Sequence, residues 1–188
     1  MPDFLRTLVR RAGPLRLALG GAGVVLALLL VALGVAMFRG VGDSPLGETA
    51  AGFERAPDFA AETLDGEPFD LGRHGDRPLF VYFWASWCAP CELEAPLIQE
   101  LWPEYEAWGY TFVGVNVMDN HGDARAFASR HGLTFPVLRG GEVYLEYGVS
   151  GLPEAFFLRP GLEVSRKYVG QLHEAEFRAM LDRLAEGS

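Results

Sequence analysis

The sequence predicts an α/β domain, a central mixed β-sheet flanked by helices with an N-terminal β-hairpin, preceded by one membrane-spanning helix. Three observations predict it. An uncharged apolar stretch precedes everything else, strand-like and helix-like apolar runs alternate after it, and a Cys-x-x-Cys pair stands where one strand gives way to a helix.

The first element runs from Leu17 to Phe38, 22 residues without a charge between Arg16 and Arg39. At about 1.5 Å per residue such a helix is about 33 Å long, enough to cross a hydrocarbon core of about 30 Å. It is apolar all round rather than striped, which argues against a buried core helix. A cleaved secretory signal is the alternative, with Gly34-Val35-Ala36 as its cleavage site. The apolar region of such a signal is normally about 7–15 residues, shorter than this one. Arg6, Arg10, Arg11 and Arg16 precede the stretch with only Asp3 opposing them. Positive charge is retained on the cytoplasmic side, so residues 1–16 are expected inside and the rest outside, on the periplasmic or extracytoplasmic side of a bacterial cell membrane. The chain carries a net charge of −9, and these arginines leave the remainder more acidic still. That balance disfavours nucleic acid or an anionic membrane surface as partner.

Residues 39–54 are rich in Gly, Ala, Ser and Pro without periodicity, and read as a linker. One compact domain is expected over 55–188. Phe59–Thr63 and Pro68–Leu71 flank Asp65-Gly66 as a hairpin. Leu79–Trp84 is almost wholly apolar, the pattern of a strand buried on both faces. A helix follows with Leu93, Leu97, Leu101, Tyr105 and Trp108 on its inner side and a kink at Pro96. Tyr110–Val117 is a second buried strand, and Asp123–His131 a helix. Ala155–Leu158 and Val164–Val169 are strands joined across Pro160-Gly161. The last helix covers Glu174 to Ala185, with Phe177, Met180, Leu181 and Leu184 inward.

The chain has two cysteines, in the string Cys88-Ala89-Pro90-Cys91 at the junction of strand and helix. This spacing in a first helical turn brings the two sulfurs within bonding range. The helix N-terminus offers unpaired N–H groups and partial positive charge that favour thiolate over thiol. A free cysteine titrates near about 8.5, and such sites fall to roughly 3.5–7.5. Cys88, at the helix mouth, is the expected attacking thiolate, and Cys91, one turn in, the resolving one. Zinc needs about four ligands, and His74, His121, His131 and His173 are scattered at no ligand-like spacing. Haem attachment requires His after the second cysteine, where Glu92 stands. A purely structural disulfide would close too short a loop to remove much chain entropy. Redox exchange through the pair itself, with no metal and no separate cofactor, is the expectation.

The string Phe83-Trp84-Ala85-Ser86-Trp87-Cys88-Ala89-Pro90-Cys91-Glu92-Leu93-Glu94-Ala95-Pro96 resembles the active-site stretch of thioredoxin-like proteins. It is most similar to the membrane-tethered bacterial group of TlpA, ResA and CcmG (also called DsbE). The resemblance extends from Ala56-Pro57-Asp58-Phe59 to the final helix. It implies a thioredoxin fold and a thiol–disulfide oxidoreductase with a redox-active Cys88–Cys91 disulfide. The implied work is to keep apocytochrome c thiols reduced, or to serve an oxidase assembly factor, with a membrane electron donor of CcdA or DsbD type. Gly151-Leu152-Pro153 matches the family's cis-proline loop, with Leu152 in place of the usual Thr or Val. Pro153, Leu152 and Trp87 are thereby implied in substrate contact. Trp84 and Trp87 resemble the family's aromatic frame, where packing and shielding of the dithiol both remain open. Glu94 matches an acidic position of the group, and a carboxylate there could move the proton of a buried thiol. The buried aspartate of ordinary thioredoxins is replaced by Tyr82, which favours Glu94 as the acid–base group. Glu92 reads as an exposed helix residue. A disulfide-forming oxidant is the rival within the same chemistry. A tethered binding module that holds an extended segment beside Pro153 without turnover is the rival outside it.

Overall fold

The computed structural model describes residues 21, 23–32 and 46–185. Residues 23–32 are helical, and the rest of the proposed span, except residue 21, lies outside the described residues. Among the described residues no helix is long and apolar enough to cross a membrane.

The sheet has six strands. β1 (Gly47–Thr49), β4 (Leu79–Trp84), β5 (Thr111–Asn116), β6 (Val137–Arg139), β7 (Glu154–Arg159) and β8 (Glu163–Val169) lie in the order β1-β8-β7-β4-β5-β6. β4, β5 and β6 run parallel, while β7 is antiparallel to β4 and β8 to β7. β2 (Ala60–Glu62) and β3 (Pro68–Asp70) form a separate antiparallel hairpin around Gly66, whose φ of 89° suits a residue without Cβ. The hairpin is fastened to the sheet edge by a bridge from Thr63 to Leu138.

All six residues of β4 are buried, because both sheet faces are covered. Period-two alternation sends Phe80, Tyr82 and Trp84 to one face and Leu79, Val81 and Phe83 to the other. The first face packs against three helices: α1 (Ala89–Ala107), α2 (His121–Arg130) and α4 (Glu174–Ala185), with Phe177, Leu181 and Leu184 fully buried. The second is covered by Phe59, Phe69 and Leu71 of the hairpin region and by short helix α3 (Val143–Glu146) with Tyr147. The two faces are therefore flanked unequally, long helices on one and mainly hairpin and loop on the other.

Two expectations change. The linker assigned to 39–54 supplies β1, an edge strand paired with β8. Glu48 on it pairs with Arg166 and, at 3.5 Å, with Arg183. Three residues show no periodicity, so the strand is held by tertiary partners rather than by its own pattern. The inner face of α1 also differs. Leu93 and Trp108 are 67% and 60% exposed, and the buried face is Cys91, Glu94, Ala95, Ile98, Leu101, Trp102 and Tyr105. A ladder drawn mostly in steps of four drifts around a helix of 3.6 residues per turn, whereas the buried face alternates steps of three and four. α1 itself continues through Pro96 and Pro103.

Candidate active site

The C-terminal ends of β4 and β5 and the start of β7 meet at one edge of the sheet. Phe83 pairs with Glu154, so Pro153 comes opposite the end of β4. Val117 N–H donates to the Trp84 carbonyl at 3.0 Å, which brings the loop after β5 to the same place. An edge where parallel strands end is a common location for ligand sites in open sheets.

Cys88 is the N-cap of α1 and Cys91 lies in its first turn, behind Pro90, a residue suited to that position. Their sulfurs form a disulfide, and Cys88 Sγ accepts from the Cys91 N–H at 3.3 Å. That contact is the cap itself: sulfur takes the place that a serine or aspartate oxygen would hold. Cys88 is 4% exposed and Cys91 fully buried, so any approach from solvent reaches Cys88 first.

Glu94 follows Cys91 by three residues on the same buried face and is 1% exposed. Its Oε2 accepts from the Leu172 N–H at 2.6 Å. Burial pushes its carboxyl up from 4.5 to about 7, against the opposing pull of the Leu172 N–H and the Tyr82 hydroxyl. Tyr82 in turn is held well above its ordinary value, by burial first and then by Glu94. Glu94 thus exchanges a proton near neutrality one turn from a buried sulfur, a suitable position for a general base.

The two tryptophans separate. Trp84 is fully buried against Phe127, ring centres 4.4 Å apart, and belongs to the core. Trp87 is 61% exposed beside Cys88, with its Nε1 donating to the Met118 carbonyl at 2.8 Å. Leu152 is half-buried against both core clusters, and the Leu152–Pro153 peptide bond is cis. Glu92 is more than an exposed helix residue: it takes two hydrogen bonds from Arg130, at 2.9 and 3.2 Å, and lies 3.1 Å from His131. The Arg130 guanidinium holds its carboxyl below the usual range.

Two groups went unrecognised in the sequence. Asp119 accepts from the Ser86 N–H (2.6 Å), the Ser86 hydroxyl (2.9 Å), the Asn116 amide (2.9 Å) and the Asn120 N–H (2.8 Å). Burial pushes its carboxyl up, but these donors outweigh it and leave it lowered. Asp119 thereby fastens the loop before the dithiol to the loop after β5, where Met118 sits at φ 52°, a left-handed conformation uncommon outside glycine. Asn-x-x-Asp at the end of a buried strand was the available signal. The second group is Glu154, next to Pro153. It is fully buried, paired with Lys167 at 2.6 Å, and accepts from the Ser150 N–H at 3.2 Å. An acidic residue directly ahead of an apolar strand run was its signal.

The architecture, a mixed sheet with a helix capped by a disulfide and a cis-proline opposite it, defines the thioredoxin-like class. The AhpC/TSA family model matches residues 53–167, and the chain belongs to that family. It is 33% identical over 163 residues to the thiol-disulfide oxidoreductase ResA of Geobacillus thermodenitrificans, covering 86% of this chain and 92% of that one. Among solved structures it resembles a thioredoxin-family thiol:disulfide interchange protein from Chlorobium tepidum, with TM-score 0.66, 26% identity, and coverage of 72% and 99%. It also resembles a secreted Mycobacterium tuberculosis disulfide oxidoreductase homologous to E. coli DsbE, with TM-score 0.61, 26% identity, and coverage of 66% and 95%. These relatives place it among the thiol–disulfide oxidoreductases.

Proposed function

We propose that this protein reduces disulfides in specific exported proteins, from a site on the outer side of the cell membrane to which residues 17–38 anchor it. The observation that carries the chemistry is the Cys88–Cys91 disulfide at the mouth of α1 with the buried Glu94 carboxyl one turn further in. In the reduced protein the Cys88 thiolate attacks a substrate disulfide, forming a mixed disulfide and releasing one substrate thiolate. Glu94 takes the proton of Cys91. The Cys91 thiolate attacks Cys88 Sγ, the bond to the substrate breaks, and the second substrate thiolate leaves. The protein ends oxidised and the substrate has gained two electrons. A membrane electron donor of CcdA or DsbD type restores the dithiol, and no further cofactor enters. Trp87, Leu152 and Pro153 are the residues we assign to the surface for an extended substrate segment. Apocytochrome c and an oxidase assembly factor are the substrates we assign to it, on the resemblance carried by the active-site string. Arginines ahead of residue 17 support the outward orientation, and the acidic balance of the chain favours neutral or basic partners.

Cys91→Ser tests the assignment of roles. Expressed in the native host, it is expected to accumulate mixed disulfides with its substrates, while Cys88→Ser is not. Accumulation by Cys88→Ser alone would reverse the roles, and by neither would remove the exchange reading.

A further inference from the structure

Period-two alternation sets Phe80, Tyr82 and Trp84 on the face of β4 that α1 covers. Phe80 is wholly apolar, and Trp84, packed on Phe127, has its Nε1 buried without a hydrogen-bond partner among the described residues. Tyr82 carries a hydroxyl. It is 1% exposed, as is Glu94, yet neither the Tyr82 hydroxyl nor Glu94 Oε1 finds a hydrogen-bond partner of ordinary geometry among the described residues. Burying a hydroxyl without a partner is unfavourable, and phenylalanine would fill the same space without that cost. Two such atoms, on neighbouring groups that perturb each other's titration, call for a common explanation.

The surroundings of Glu94 limit what that explanation can be. From the loop after β8, the Leu172 N–H holds Oε2 as an acceptor, which leaves Oε1 as the oxygen that carries the proton. From its own helix comes Cys91, a turn earlier. From β8 comes Tyr168, aligned across the sheet with Tyr82 through the small Ala155 between them. The Tyr168 hydroxyl is already engaged, donating to Glu176 Oε2 of α4 at 2.8 Å. Glu176 therefore meets this cluster through Tyr168. Tyr82 is the group left to serve Oε1.

We propose that Tyr82 is a positioning residue for Glu94, its hydroxyl pairing with Oε1 in both protonation states and so setting the pH at which Cys91 resolves a mixed disulfide. A hydroxyl can do this where an amide N–H cannot: it donates to the carboxylate and, after rotation, accepts from the carboxylic acid. Oε1 can then take the Cys91 proton and lose it again without leaving a buried oxygen unpaired in either state. Removing the hydroxyl withdraws a donor that favours the ionised carboxylate, so Glu94 should hold its proton to higher pH.

The inference rests on the reading of Glu94 as the base for Cys91, and the test separates the two. The reduced full chain, in mild detergent, is mixed with excess 5,5′-dithiobis(2-nitrobenzoate). The first thionitrobenzoate released reports attack by Cys88, and the second reports resolution by Cys91. Tyr82→Phe is expected to move the midpoint of the second release upward by about one pH unit, the size of one hydrogen bond to a charged group at the low end of its range. Its first release should keep the parent's profile. Tyr168→Phe should leave the second midpoint near the parent's. If Glu94→Gln abolishes the titration of the second release while Tyr82→Phe leaves its midpoint in place, Glu94 remains the base and the role of Tyr82 is refuted. If Glu94→Gln changes nothing, the base assignment fails and the inference with it.

Discussion

Glu94→Gln should make the oxidised protein more stable in alkaline solution and change little in acid. In the folded chain burial lifts the carboxyl from 4.5 to about 7, with Leu172 and Tyr82 opposing. Between those values the folded state binds more protons than the unfolded state. The contribution of Glu94 to stability is thus fully present below about pH 4.5 and is lost as pH rises toward about 7. At about 1.4 kcal/mol per pH unit the difference amounts to about 3 kcal/mol. The side chain is 1% exposed, so solvent screening removes little of this. Glutamine has the same shape, and its carbonyl oxygen can still accept from the Leu172 N–H, so no cavity opens. Guanidinium unfolding of the full chain in mild detergent, followed by circular dichroism at pH 5 and pH 8, gives the two differences. The variant should exceed the parent by about 3 kcal/mol at pH 8 and by much less at pH 5. Equal differences at the two pH values would refute a raised carboxyl in the folded protein.

The other predictions follow from neighbouring contacts. Asp119→Ala removes four hydrogen bonds, two of them between the loops flanking the site, and should lower unfolding free energy by about 2–4 kcal/mol while broadening the range of Cys88 alkylation rates. Lys167→Met leaves the buried Glu154 charge unpaired, at a cost of about 3–5 kcal/mol in the same unfolding assay, much of which adding Glu154→Gln should restore. A membrane-impermeant thiol reagent should label the reduced protein in intact spheroplasts, and labelling only after lysis would contradict the outward orientation. A reduction potential well below about −120 mV, with a substantially reduced pool in the cell, is expected of a reductant. A value near that figure with an oxidised pool would make the protein an oxidant.

Much of the fold was legible because the strands here carry long apolar runs. Leu79–Trp84 reads as a strand from its sequence and is one to the residue, since both faces are covered and nothing polar interrupts it. The final helix is equally plain, as Phe177, Met180, Leu181 and Leu184 fall on one side. What stayed hidden depends on partners distant in sequence. β1 exists because β8 offers an open edge and because Arg166 and Arg183 reach Glu48. Asp119 looks like any loop acid until Ser86, 33 positions earlier, is brought to it.

The case of Glu94 shows why the site was legible in its residue types but not in its physics. Sequence resemblance picks out the position, yet a glutamate in the first turns of a helix is ordinarily a solvated residue helped by the helix dipole. Whether it is buried depends on the rotation of α1, and a register drawn through Leu93 and Leu97 points that face outward. The observed rotation puts Leu93 in solvent and Glu94 against Tyr82 of β4 and the Leu172 N–H. The rotation is set by the whole inner row, from Ala95 and Ile98 to Trp102 and Tyr105, packing on Phe80 and Phe112. Apolar packing along the full length of α1 therefore fixes the one carboxyl whose burial gives it a proton to exchange near neutrality. A change deep in that row, at Ile98 for instance, should alter the titration of Glu94 without touching it.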